Sequence, residues 1–127
     1  LMIEHPVVVE AGAVVADVVE ETFLRHGFGG YPVLEEGRAV GLLSLTEIKR
    51  CPREERTRRM VREIMRPMGD AILVAPGEAL GDALRRMRES GSTRLLVMED
   101  GRLAGLVTQT GILRVLGMRV QLDREGA

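Results

Sequence analysis

The chain has 127 residues, of which 18 are basic and 19 acidic, giving a formal net charge of -1. Hydrophobic residues make up 45% of it but aromatics only 2%, so an aliphatic core is available while the stacking rings of single-strand nucleic acid readers are not. Balanced charge argues against a DNA, RNA or anionic-membrane footprint, the single cysteine Cys51 precludes an intrachain disulfide, and no apolar run is long enough for a transmembrane helix.

In chain order, a short β-rich run at Val7 to Val9 leads through a small-residue turn into an amphipathic helix. Val15, Val18, Val19 and Thr22 are expected on its buried face, and Gly27 as its stop. Two strands follow, Tyr31 to Leu34 and Ala39 to Leu43. The turn Glu35-Glu36-Gly37-Arg38 between them suits a hairpin because glycine accepts positive φ. A further helix begins near Thr46.

The segment from Lys49 to Arg66 carries eight basic residues against three acidic ones and is punctuated by Pro52. It reads as a linker with a helical turn at Val61 to Met65. The first pattern then recurs. A β-rich run at Ile72 to Val74 precedes a helix with Leu80, Ala83, Leu84 and Met87 on one face and Gly91 as its stop. Strands at Leu95 to Glu99 and Leu103 to Val107 follow, joined by Glu99-Asp100-Gly101-Arg102, and a last helix begins near Thr110.

The recurrence is residue by residue. Val9 and Asp17 match Val74 and Asp82 at a spacing of 65, whereas Tyr31, Gly37, Gly41 and Ile48 match Leu95, Gly101, Gly105 and Ile112 at 64. The one-residue slip is expected at the end of the first helix. The fold class that follows is α+β, two pseudo-symmetric β-α-β-β-α repeats packed sheet to sheet, since neither copy alone buries enough surface. The expected boundaries are 1–60 for the first repeat, with linker from about 51, and 61–127 for the second.

Each copy carries a strand running into a glycine-led hydroxyl motif: Gly41-Leu42-Leu43-Ser44-Leu45-Thr46-Glu47 and Gly105-Leu106-Val107-Thr108-Gln109-Thr110-Gly111. The linker adds Val61-Arg62-Glu63-Ile64-Met65-Arg66-Pro67. Together these resemble the CBS domain, whose tandem pair is called a Bateman module. The resemblance implies an adenine-nucleotide-sensing regulatory module, with AMP or ATP, or another adenosyl compound, in a cleft between the repeats, and a homodimer associating through its helices.

Carried over residue by residue, it implies a nucleotide site built on Ser44, Thr46, Glu47 and Arg50, with Thr108, Thr110 and Arg114 as equivalents. Val9, Tyr31 and Pro32, on the strands, would flank the adenine. Hydroxyls at a helix N-terminus beside free N–H groups favour a phosphate, and arginines one turn on pair with phosphate oxygens. Thr46 and Thr110 also suit simple N-capping, worth ~1 kcal/mol without any ligand. Glu47 stands where the motif usually has Asp, and Gly111 where it has an acid, so the first copy is the better candidate. The alternative is a ligand-independent dimerisation module.

No catalytic constellation is present, so no enzymatic activity is expected. His5, His26 and Cys51 are too scattered to predict a metal site. Glu54 and Glu55, set among arginines, read as a salt-bridged solvated segment, and the arginines at 58, 59 and 62 as an exposed linker face rather than a nucleic-acid contact. The stretches Arg25 to Val33 and Cys51 to Arg56 resemble the CBS pairs that follow site-2-type zinc metalloproteases, which implies a regulatory region tethered to a membrane metalloprotease. A cytoplasmic location is the default expectation, and a chain opening on Leu1 reads as a piece of a longer protein.

Overall fold

A computed structural model describes residues 2–4, 6–68, 73–74, 80–99, 102–113, 118 and 121. Strands and helices alternate as the duplicated pattern requires. They are β1 (Ile3–Glu4), β2 (Val9–Glu10), α1 (residues 15–26), β3 (Gly30–Glu35), β4 (Arg38–Ser44), α2 (Leu45–Arg50), α3 (Val61–Ile64) and β5 (Arg66–Pro67). Then come β6 (Leu73–Val74), α4 (Leu80–Ser90), β7 (Arg94–Glu99), β8 (Arg102–Thr108) and a helical stretch α5 at 109–113. Chain contacts divide the molecule into one unit of residues 6–68 and another of 1–5 with 69–127.

Each unit holds a four-stranded sheet, in the order β2-β3-β4-β5 and β6-β7-β8-β1. The first pair in each is parallel and the next two are antiparallel. The registers repeat at a spacing of 64: Tyr31 faces Leu43 and Leu95 faces Val107, and the ladder slips at Val33/Leu34 in one copy and at Val97/Met98 in the other. The edge strands β5 and β1 come from the stretches preceding the opposite repeat. At two residues each, they carry no periodicity from which a strand can be read.

Side-chain alternation along β3 and β4 places Tyr31, Val33 and Leu43 in the first core, with Val9, Ala11, Val18, Phe23, Ile48 and Val61. In the second, Leu95, Val97 and Val107 pack with Ala83, Met87 and Ile112. Pro32 and Leu42 alternate onto the other face of the first sheet and are buried as well. Leu45 N–H donates to Gly29 O at 3.0 Å, and two-residue alternation then makes Tyr31–Leu43 a hydrogen-bonded pair and Pro32–Leu42 a non-bonded one. Ala11 N–H donates to Leu34 O, so the backbone of the even-numbered β3 residues faces β2. Pro32 lies before the β2 pairing begins at Val9–Val33, where a missing N–H breaks no ladder bond.

The turn between β3 and β4 has Glu36 at φ 51° and Gly37 at φ 78°, two left-handed residues whose twist suits a tight hairpin. The equivalent turn at 100–101 lies outside the described residues, as do Ile72 and His5. Both helix stops hold, with Gly27 at φ 75° and Gly91 at φ 69°.

Helix α1 departs from the sequence expectation. It runs as α over Val15–Val18, as π over Val19–Phe23 and as α again over Leu24–His26. Val18 and Phe23 are buried, while Thr22, expected on the core face, is only partly so. Residues five apart lie about 140° apart on an α-helix, and an i→i+5 turn brings them onto one face. In α4 the matching buried pair is Ala83 and Met87, four apart on an ordinary α-helix. The extra residue of the first copy therefore sits inside the helix, not at its end.

The linker is also more structured than a solvated loop. Val15 and Ala16 N–H groups, at the start of α1, donate to Arg59 O and Arg56 O at 2.9 Å each. In return, Val61 and Arg62 N–H groups donate to Ala13 O and Ala11 O. Free donors at a helix start need partners, and here linker carbonyls supply them.

Candidate functional site

The site begins where β4 runs into α2. Ser44, at φ -120° and ψ 172°, is the N-cap of α2, with Glu47 at its third helical position. Glu47 Oε1 accepts hydrogen bonds from the Ser44 backbone N–H at 2.9 Å and from Ser44 Oγ at 2.8 Å, the glutamate half of a capping box. Among the described residues Glu47 Oε2 has no such partner. The helix thus opens at Leu45, near Thr46 as expected, and of the two readings of Thr46, a phosphate contact or a simple N-cap, the cap falls instead to Ser44. Thr46 lies exposed in the first turn, two residues past the cap, because only Ser44 has the extended backbone that aims a side chain back at the helix start.

The second copy repeats the geometry with different chemistry. Thr108, not Thr110, takes the cap position, and its Oγ1 accepts the Gly111 N–H at 3.0 Å. With glycine at this third position no carboxylate returns to the cap. Gln109 N–H donates to Thr93 O at 2.8 Å, as Leu45 N–H does to Gly29 O, so both strand-to-helix junctions are pinned to the start of the neighbouring strand. Thr110 is exposed, and Arg114 lies outside the described residues.

Arg50 is exposed in the last turn of α2, one turn beyond the half-buried Glu47. Ser44, Thr46, Glu47 and Arg50 thus share one junction and one short helix. Val9 and Tyr31 are 4% and 1% exposed, both in the core of the first unit. The Tyr31 ring meets Phe23 edge-on at 4.6 Å and Phe28 at 6.2 Å. Its hydroxyl accepts the Phe28 N–H at 3.1 Å and donates to Thr22 O, inside the π segment, at 3.3 Å.

One positioning residue was not singled out in the sequence. Arg56 donates from Nε to Cys51 O at 3.3 Å and from Nη2 to Ile48 O at 3.1 Å, closing the C-terminal end of α2. A cation on the last carbonyls of a helix satisfies acceptors and opposes the dipole. The signal available was an arginine shortly after the helix end, which is not distinctive in so arginine-rich a segment. Of its neighbours, Arg59 pairs with Glu55 and Glu63, and Arg62 with Glu35, as a salt-bridged surface segment should. Hydrogen bonding from the Met60 N–H, and then from Arg59, holds the Glu63 carboxyl below its ordinary pKa.

The duplicated unit, the motif in each copy and the matching junctions correspond to a known family model, the CBS domain, which matches residues 1–54 and 61–117. The chain belongs to the CBS-domain family. It is 31% identical over 120 residues to the protein MJ1225 of Methanocaldococcus jannaschii, an alignment covering 92% of this chain and 41% of that one. It is 29% identical over 118 residues to the zinc metalloprotease MJ0392 of the same organism, covering 93% of this chain and 31% of that protein. This CBS pair therefore spans well under half the length of these two curated relatives. Among solved structures, CBSX2 in complex with AMP shares the fold at a TM-score of 0.79 and 24% identity, over 94% of each chain. No helix among the described residues is long and apolar enough to cross a membrane.

Proposed function

We propose that this CBS pair is a regulatory module that binds an adenine nucleotide, AMP or ATP, and passes the binding event to an attached or partner protein as a homodimer. The observation that carries the reading is the first strand-to-helix junction. It presents a hydroxyl and a carboxylate, Ser44 and Glu47, fixed by mutual hydrogen bonds, with Glu47 Oε2 left to accept from ribose hydroxyls. Thr46 and Arg50, exposed on the same short helix, supply a hydroxyl and a cation for phosphate oxygens. The solved relative that carries AMP, CBSX2, supports the ligand class.

Binding energy that differs between two arrangements of the module shifts their populations, and a tethered domain responds to that shift. Likeness to the metalloprotease MJ0392 supports a membrane protease as the host. A cytoplasmic site of action fits a sensor of AMP or ATP.

A second reading, a ligand-independent dimerisation module, is favoured by one feature. Gly111 removes the acid from the second junction, and the first acid already serves its own helix cap.

A thermal-shift screen against AMP, ADP, ATP and S-adenosylmethionine separates the two. A ligand at a hundred times its Kd adds about 2.7 kcal/mol to the native state, several degrees in a domain of this size. A melting temperature indifferent to all four at millimolar concentration would leave the dimerisation reading standing.

A further inference from the structure

Helix α2 carries Thr46, Glu47 and Arg50 on only six residues, Leu45–Arg50, and so short a helix depends on partners at its ends. Its start is capped by Ser44 and Glu47. Its end is held from outside by the half-buried Arg56, through Nε to Cys51 O at 3.3 Å and Nη2 to Ile48 O at 3.1 Å. Ile48 and Cys51 are both buried, so water is poorly placed to replace the guanidinium.

The backbone of the same residue holds the start of α1. That helix opens on Val14, which has no side-chain oxygen to offer the free N–H groups of the first turn. Arg56 O accepts the Ala16 N–H instead, at 2.9 Å, beside the bond from Val15 N–H to Arg59 O. Arg56 also lies inside a hydrogen-bonded turn: its own N–H donates to Arg53 O at 3.3 Å, and the Arg58 and Arg59 N–H groups donate to Glu55 O at 2.9 and 3.0 Å. The carbonyl and the side chain of Arg56 are therefore constrained together.

Arg56 thus bonds to the end of α2 and to the start of α1 at once. The proposed ligand contacts sit on the same turn and a half of helix as the Ile48 carbonyl, so whatever fixes them fixes the acceptor that Arg56 holds.

We propose that Arg56 is the positioning residue that carries ligand occupancy from α2 to α1. A nucleotide held by Thr46, Glu47 and Arg50 fixes α2, the fixed carbonyls hold the Arg56 guanidinium, and the Arg56 backbone secures the first turn of α1. This rests on the nucleotide reading and deepens it by naming the route out of the site. Such coupling is reciprocal: the factor by which the nucleotide secures α1 is also the factor by which an intact Arg56 clasp raises nucleotide affinity.

The test is amide hydrogen exchange of the whole 127-residue chain, followed by NMR with and without saturating AMP or ATP. Exchange at Val15 and Ala16 is compared with that of the β3–β4 ladder amides, which report global opening. The nucleotide is expected to slow the two α1 amides about fivefold more than the ladder, at the low end of ordinary coupling factors.

Arg56→Ala keeps the carbonyl that Ala16 uses and removes only the guanidinium. It is expected to abolish the extra protection and to weaken nucleotide binding by the same factor of about five. A merely structural role would lower protection equally with and without nucleotide. Arg56→Lys, whose single ammonium cannot fork onto two carbonyls, should retain part of the increment.

If neither AMP nor ATP binds the wild type, the nucleotide reading falls and this route with it. Binding that leaves Val15 and Ala16 no better protected than the ladder overturns the route alone, as does an Arg56→Ala chain that keeps the full increment. Should Arg56→Ala lose its fold, Arg56→Lys decides: an undiminished increment overturns the route.

Discussion

Glu47 Oε1 accepts both the backbone N–H and the hydroxyl of Ser44, at 2.9 and 2.8 Å, so the acid proposed to meet a ligand also anchors its own helix. A variant at this residue therefore tests the helix cap as well as the proposed ligand contact. Glu47→Ala and Ser44→Ala are each expected to cost about 1 kcal/mol in urea denaturation. The double variant should cost clearly less than their sum, because each alone breaks the same pair. Strict additivity would show that the cap does not hold in solution.

The Tyr31 hydroxyl joins the Phe28 N–H to a carbonyl inside the π segment. Tyr31→Phe leaves both groups short of a partner and is expected to destabilise the protein by about 1–3 kcal/mol. The second copy has Leu95 at this position and a regular α4, so no such hydroxyl is needed there. A neutral Tyr31→Phe would mean that water replaces the hydroxyl at no cost.

Two glycines should respond in opposite directions. A Cβ on Gly41 would fall 2.6 Å from Arg66 O and 2.7 Å from Met65 Sδ, where β5 pairs with β4. Gly41→Ala is expected to cost about 1–3 kcal/mol, since the backbone oxygen cannot retreat without losing that pairing. A Cβ on Gly81, in α4, would meet nothing within 4 Å, and Gly81→Ala is expected to stabilise by about 0.4–1 kcal/mol. Denaturation midpoints of the two variants, on either side of wild type, check the pair.

The Glu63 carboxyl titrates below its ordinary value when folded, through hydrogen bonds from the Met60 N–H and Arg59. A lowered folded pKa contributes stability above the unfolded value, about 4.3, that is lost as the pH falls through the folded one. Glu63→Gln should therefore flatten the acid limb of a stability–pH profile and leave the region above pH 6 parallel to wild type. The residue is on the surface, so the difference should shrink in high salt. An unchanged acid limb would contradict this account.

Much of the fold was legible because the chain states it twice. Gly27 and Gly91 marked two helix ends, and Gly37 a hairpin, since each needs a left-handed backbone and each follows a periodic run. The π segment was hidden. A spacing that drops from 65 to 64 shows that a residue is extra but not where it sits, and only the five-residue step from Val18 to Phe23 locates it. The true cap was within reach, because Ser44-Leu45-Thr46-Glu47 fits the serine-to-glutamate capping spacing and Thr46, followed three residues on by Lys49, does not. The edge strands and the linker carbonyls over α1 lay beyond reading, as backbone pairing between distant segments leaves no mark on side chains. At the site, Ser44 and Glu47 come together as their spacing promised, while the core positions of Val9 and Tyr31 follow from strand alternation that the motif does not encode.

The central claim is tested most directly by titrating AMP into the purified chain in a calorimeter. Saturable binding is predicted, weakened at least tenfold by Glu47→Ala at a temperature where that variant remains folded. The absence of saturable heat with AMP or ATP at millimolar concentration, or affinity indifferent to Glu47, would contradict it.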